Sequence, residues 1–151
     1  MVTAEQVKAL RDATGVSVSD CKRALEEAGG DMERALGLLK DKSAGAAAKK
    51  ADRVLKAGAI QSYIHATGTV GVLVELSCET DFVGKNDEFK ALARDIAMHV
   101  AAMMPETSDD LRAQPFIKNP EQTIEQVVAQ AIQKFGEKIE IARFTRFAVG
   151  A

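Results

Sequence analysis

Cys21, Cys78, His65 and His99 are the thiols and imidazoles of this 151-residue chain, and they are the first candidates for covalent chemistry. Cys78 and His65 fall on one expected hairpin, so a nucleophile–base pair can be drawn between them. A working pair needs a third group to orient the imidazole, and the neighbouring sequence offers none. The pair therefore reads as a small buried thiol and an edge histidine. Two cysteines and two distant histidines also lack the ligand spacing of a structural zinc site. Without a CxxC they read as reduced thiols of a cytosolic protein, with a single Cys21–Cys78 disulfide left open. Glu79 and Asp81 could approach a cation, but a hard cation takes roughly six or more oxygen ligands and the run lacks the spaced acids of a calcium loop. Gly68-Thr69-Val70-Gly71 lacks the lysine and spacing of a phosphate loop. These residues assemble no catalytic centre, no metal site and no cofactor site, so the chain does not read as an enzyme.

Charge argues against a second class. Lys and Arg number 20 against 22 acids, a net charge of −2, which gives no global electrostatic case for nucleic acid. Lys49-Lys50-Ala51-Asp52-Arg53 could touch phosphate, but it is short and has no aromatic platform beside it, so it reads as a solvated hinge face. No apolar run approaches the roughly 20 residues of a membrane-spanning helix.

What remains is Thr80-Asp81-Phe82-Val83, between a strand-like run and the start of a helix. The chain has six Phe, one Tyr and no Trp, and one of these few rings falls where the backbone turns toward water. Two readings are open. Phe82 can fold beneath the following helix as a staple, as residues flanking helix starts do. Alternatively it points outward as an anchor, with Asp81 beside it for charge-assisted hydrogen bonds at the rim.

Several elements must position that corner. Thr3-Ala4-Glu5-Gln6 is a capping-box pattern opening a helix that Thr14-Gly15 ends. Ser17-Val18-Ser19-Asp20 opens a second, with Cys21, Ala24, Leu25 and Ala28 on one stripe, and Gly29-Gly30 stops it. Asp31 caps a third carrying Met32, Ala35, Leu36 and Leu39. These form a three-helix module over 1–42. Residues 43–56, small and basic, read as a linker, either a hinge or a weakly packed helix. From Ala59 the period becomes two: Ile60, Ser62, Ile64 and Ala66 alternate with Gln61, Tyr63 and His65, and Val70–Leu76 returns as the second strand of a hairpin. Asp87–Met104 is a periodic helix ended by Pro105. Residues 106–120 read as loop, Pro120 as the first residue of a helix to Phe135, and 138–149 as a final strand with a bulge near Ala142-Arg143. The expected fold class is α+β, with a core over 57–151 built on a small antiparallel sheet packed with helices.

"LRDATGVSVSDCKRAL" (Leu10–Leu25), "GGDMERA" and "ELSCETDFVGKN" (Glu75–Asn86) resemble, in order, the two signature regions of elongation factor Ts. "IAMHVAAMMP", "QPFIKNP" and "ARFTRFAVG" are similar to the distal core of that family, so the resemblance spans nearly the whole chain. It implies a ubiquitin-associated-like (UBA-like) N-terminal module, an α+β core and a cytoplasmic nucleotide-exchange factor for the GTPase elongation factor Tu, without cofactor or direct nucleic-acid contact. Asp81 and Phe82 match the family's intruding pair: Phe82 is implied to wedge between two helices of the GTPase domain and, with Asp81, to disturb the magnesium region beside the nucleotide. Thr80 and Val83 are implied to shape the corner. Arg11, Val18 and Lys22 match positions at or near the GTPase surface, Ser19 stands where a hydrophobic partner residue is common, and His99 matches a histidine near a second GTPase domain.

Long members of the family carry a duplicated core half and a helical hairpin before "QPF". Only nine residues separate Pro105 from Pro115 here, leaving no room for such a hairpin. A single small sheet then has one poorly covered face, which suggests a homodimer packed sheet against sheet. The competing class is a UBA-like interaction adaptor with a different partner, which would have no use for "TDFV".

Overall fold

The computed structural model describes residues 1–150. Its elements, in order, are α1 (Ala4–Thr14), α2 (Val18–Glu27), α3 (Met32–Lys49), β1 (Ala57–Ile64), β2 (Val70–Cys78), α4 (Asp81–Gly84), α5 (Asp87–Met103), α6 (Ser108–Ala113), β3 (Pro115–Phe116), β4 (Asn119–Thr123), α7 (Ile124–Phe135) and β5 (Glu140–Ala148). They divide into two compact units: residues 1–52 with Ala129–Gly136, and residues 53–128 with the stretch from Glu137 onward. The fold class is α+β.

The first unit forms because each helix start is written locally. The Thr3 hydroxyl accepts from the Gln6 amide while the Gln6 side chain accepts from the Thr3 amide, completing the capping box. Ser17 and Asp31 accept from the amides of Asp20 and Arg34, capping α2 and α3. Leu10, Val16, Cys21, Leu25, Ala35 and Leu39 meet in one buried cluster. Asp20 takes an ion pair from Lys42 and a hydrogen bond from the Ser17 hydroxyl at 2.9 Å. Chiefly through the Lys42 hydrogen bond, its carboxyl is held below the usual carboxylate value.

The linker expected from Ser43 opens as ordered helix, because α3 continues to Lys49. Alanine-rich sequence supplies the propensity. Ser43 is itself buried and donates to Gln133 of the same unit, so this stretch is tied down where packing of its small residues alone would leave it loose.

In the second unit β1, β2 and β5 form an antiparallel sheet in the order β1-β2-β5. β1 pairs with β2 from Ala57–Cys78 to Ile64–Gly71. The β2–β5 register slips where Glu75 faces Arg143 and Leu76 faces Ile141, so Ala142 is the extra residue of a bulge, as the broken alternation suggested. Val72, Val74, Leu76 and Cys78 point to the face that α5 covers, where Phe89, Ala93, Ile96 and Val100 are buried. Ile60, Ile64, Leu73 and Phe147 are exposed on the other face.

Two expectations for residues 106–135 are corrected. Residues 108–113 form α6, because the Thr107 hydroxyl caps it by accepting from the Asp110 amide at 3.1 Å. Pro120 lies in β4 and does not open a helix. α7 starts at Ile124, where Thr123 and Gln126 exchange backbone–side-chain hydrogen bonds as a second capping box. That pair satisfies two helix-start donors, whereas proline at a first helical position merely lacks one.

Candidate partner-binding site

Thr80 ends the strand-like backbone (φ −128°, ψ 154°), and its hydroxyl accepts from the Val83 amide at 3.4 Å, capping the single turn α4. Within that turn the side chains diverge sharply. Val83 is 4% exposed and enters the core, whereas Phe82 is 87% exposed. Asp81 is also exposed; its carbonyl accepts from the Lys85 amide at 2.9 Å, and among the described residues no hydrogen bond or salt bridge engages its carboxylate. Gly84 decides the sides: a Cβ there would lie 3.0 Å from the Gly58 carbonyl oxygen, so α4 rests backbone on backbone against β1. Asn86 then caps α5 by accepting from the amides of Glu88 and Phe89. The staple of Phe82 beneath the following helix is therefore not formed. Val83 and Phe89 fill the interior, and Phe82 is left to solvent.

The turn is braced from one side by Glu137, which the sequence did not single out. One Glu137 oxygen accepts from the amides of Glu79 and Thr80 at 3.1 and 3.0 Å, and the other accepts from the Thr80 hydroxyl at 2.6 Å. In return Glu79 accepts from the Lys138 amide at 2.6 Å, and Arg53 pairs with it at 3.4 Å. Nothing near Glu137 in sequence signals this role, since its partners lie 57 and 58 positions away.

His99 is fully buried. Its Nδ1 accepts from the Ile117 amide at 3.1 Å, so the proton sits on Nε2, which donates to Gln114 Oε1 at 2.9 Å. Burial, opposed by the Gln114 hydrogen bond, pushes its pKa below the ordinary histidine value. The ring therefore locks the β3–β4 hairpin to α5 and presents no surface; the contact expected of it corresponds here to an internal structural role. Val83 likewise shapes the corner from inside.

Arg11, Val18 and Lys22 are exposed in the first unit. Val18 and Lys22 stand four apart on α2 and so share one outward stripe, with Val18 51% exposed and Lys22 3.9 Å from Glu26. Ser19 stays exposed, its hydroxyl 3.1 Å from that of Ser17.

The covalent pair is not assembled. Cys78 pairs with Ala57 at one end of the β1–β2 hairpin and His65 follows Ile64 at the other, roughly 25 Å away at the strand rise per residue. His65 meets Tyr63 Oη at 3.0 Å instead. Cys21 and Cys78 are free and buried, and burial raises both thiol pKa values, for Cys78 with added help from Glu137. No described helix is long and apolar enough to cross a membrane.

A profile of the family described as "Elongation factor TS" matches residues 46–110 and, overlapping them, 79–151. The chain is 43% identical to Elongation factor Ts of Carboxydothermus hydrogenoformans, covering 99% of this chain and 90% of the relative. It is 40% identical to Elongation factor Ts of Desulforamulus reducens, covering 99% and 89%. The same name attaches to a Synechococcus relative at 40% identity, where 99% of this chain covers 69% of the relative. The first alignment runs over 195 positions, so that relative carries segments that this 151-residue chain lacks.

Proposed function

The chain belongs to the elongation factor Ts family of translation elongation factors, and from that premise we propose that it binds elongation factor Tu and accelerates GDP release with Phe82 as the wedge. One observation carries the reading: a phenyl ring 87% exposed on a braced helical turn. Full burial of such a side chain is worth about 1.5–3 kcal/mol, and that free energy is left unused in the free chain. It becomes available when the ring enters a pocket on the partner. The turn is already ordered, so little conformational freedom is lost on insertion.

No bond is made or broken. Asp81, exposed beside the ring, accepts hydrogen bonds at the rim, and together the pair disturbs the GTPase elements that hold magnesium beside the nucleotide. Weakening that counter-charge loosens GDP. The factor must bind the nucleotide-free GTPase better than the GDP-bound one, and the coupling is reciprocal: GDP weakens the factor by the same ratio. Arg11, Val18 and Lys22 supply a second exposed surface for the same partner.

Release of fluorescent GDP from the cognate GTPase tests this. Phe82→Ala is expected to lower stimulated release about 10–100-fold, the loss of one buried ring, with the unfolding midpoint unchanged. Stimulation equal to the parent's would refute the wedge.

We further propose that two copies pair through the open face of the sheet. Supporting this, Ile60, Ile64, Leu73 and Phe147 are all exposed there, with the Glu75–Arg143 ion pair at 2.9 Å on the same face. Gly71 lies between Ile64 and Phe147 in register, so the strip is flat enough for an identical surface to approach. The occupant we favour is a second copy, because the relatives carry segments that are missing here and that a repeated surface can replace.

A further inference from the structure

We infer that Glu137 is a positioning residue for exchange, holding the Thr80 corner in the geometry from which Phe82 can insert; this rests on the wedge reading above. A helix of four residues cannot hold itself. Nucleating a single turn fixes several dihedrals for one hydrogen bond, so an isolated turn is unfavourable. α4 therefore needs support from outside its own sequence, and Glu137 gives it on three donors with both carboxylate oxygens.

The geometry shows why the brace controls the ring. The Thr80 hydroxyl donates to Glu137 Oε2, which fixes the hydroxyl rotor so that its lone pair faces the Val83 amide. Phe82 lies between these two anchored residues. Bonds to an ionised carboxylate are roughly twice as strong as neutral ones, so these contacts outweigh the cap they orient. Gly136, at φ +73°, ends α7 in a left-handed turn just before Glu137, its amide donating to the Ile132 carbonyl at 2.9 Å. The reciprocal bond from the Lys138 amide to Glu79 closes the clasp. Glu137 is half-buried beside the corner and bonds to its backbone, so its influence on a partner passes through Thr80 and Phe82.

Without the carboxylate the turn samples other conformations, and binding must order it again. The expected signature is a higher concentration of factor for half-maximal stimulation, with the maximal rate nearly kept. The experiment titrates parent, Glu137→Ala, Glu137→Gln, Phe82→Ala and the Phe82→Ala/Glu137→Ala double variant in GDP release. Glu137→Ala is expected to raise the half-saturating concentration about tenfold, the loss of one to two net hydrogen bonds, with the maximal rate within about twofold. Glu137→Gln, which keeps one acceptor oxygen, falls between, and carries the test if the alanine variant does not fold. In the Phe82→Ala background the same change should add less than about twofold, because the group it positions is gone. A parent-like titration for both Glu137 variants would overturn the inference, and so would an equal loss in both backgrounds, which marks a general fold effect. Parent-like release by Phe82→Ala itself would instead overturn the wedge reading, so the two failures are separable.

Discussion

Phe82 and Phe147 are both exposed rings, at 87% and 72%, yet they reach solvent for different reasons. Phe82 is pushed out by local construction. Thr80 caps the turn, Gly84 abuts Gly58, Val83 takes the inward place, and the ring has nowhere else to go. Phe147 is exposed because the Ala142 bulge resets the alternation of β5, directing Phe144 toward the covered face and Phe147 away from it. The first is a single ring on an acid-flanked corner. The second belongs to a strip with Ile60, Ile64 and Leu73. An isolated ring on a braced turn suits insertion into a cleft, whereas a flat row of aliphatic and aromatic groups suits a broad face against a matching face.

That contrast can be broken in graded ways. The largest effect should come from a third ring, Phe89, which is fully buried on α5. Phe89→Ala removes core volume and is expected to cost about 3–5 kcal/mol in urea unfolding, where Phe82→Ala should cost almost nothing. If the two substitutions destabilised the chain equally, the division into interior and outward rings would be wrong. Next is Gly84→Ala, whose added Cβ would meet the Gly58 carbonyl oxygen at 3.0 Å. Displacing α4 to relieve that contact is expected to cost about 1–3 kcal/mol and to weaken exchange, whereas Gly37→Ala, with open space around it, should stabilise slightly. Phe147→Asp is expected to leave the unfolding midpoint nearly unchanged and to convert a dimer to a monomer in light scattering at micromolar concentration; a parent already monomeric there would remove the sheet-face pairing. The smallest effect concerns His99. Its folded pKa lies below the unfolded value near 6.5, so below that pH the unfolded chain binds the extra proton first and stability falls as pH falls. Protonating Nδ1 would set two donors face to face with the Ile117 amide. Thermal midpoints measured from pH 7.5 to 5.5 should decline, and the slope should flatten in His99→Gln.

The helices of the first unit were legible because their start signals are local: Thr3, Ser17 and Asp31 each contact an amide three residues on. The hairpin was legible from its alternation, and the bulge from a break in it. Residues 108–113 were missed because one short cap at Thr107 was outweighed by two prolines nearby, and Pro120 misled because the Thr123–Gln126 pair lies just beyond it. At the site, the identity of the corner was readable but the direction of its ring was not. One helical turn offers no periodicity, and the inward choice of Val83 depends on Gly58, 25 positions earlier in the chain. Glu137 was invisible for the same reason, since its bonds join residues distant in sequence. His99 carried a motif match but not its burial, which comes from Gln114 and Ile117 closing over it.

The central claim is that the ring at 82 acts on the GTPase and the ring at 147 does not. Fluorescent-GDP release, stimulated by saturating Phe82→Ala and Phe147→Ala in parallel, tests it most directly. The account predicts about a 10–100-fold loss for the first and near-parental stimulation for the second. Parental stimulation by Phe82→Ala would contradict it.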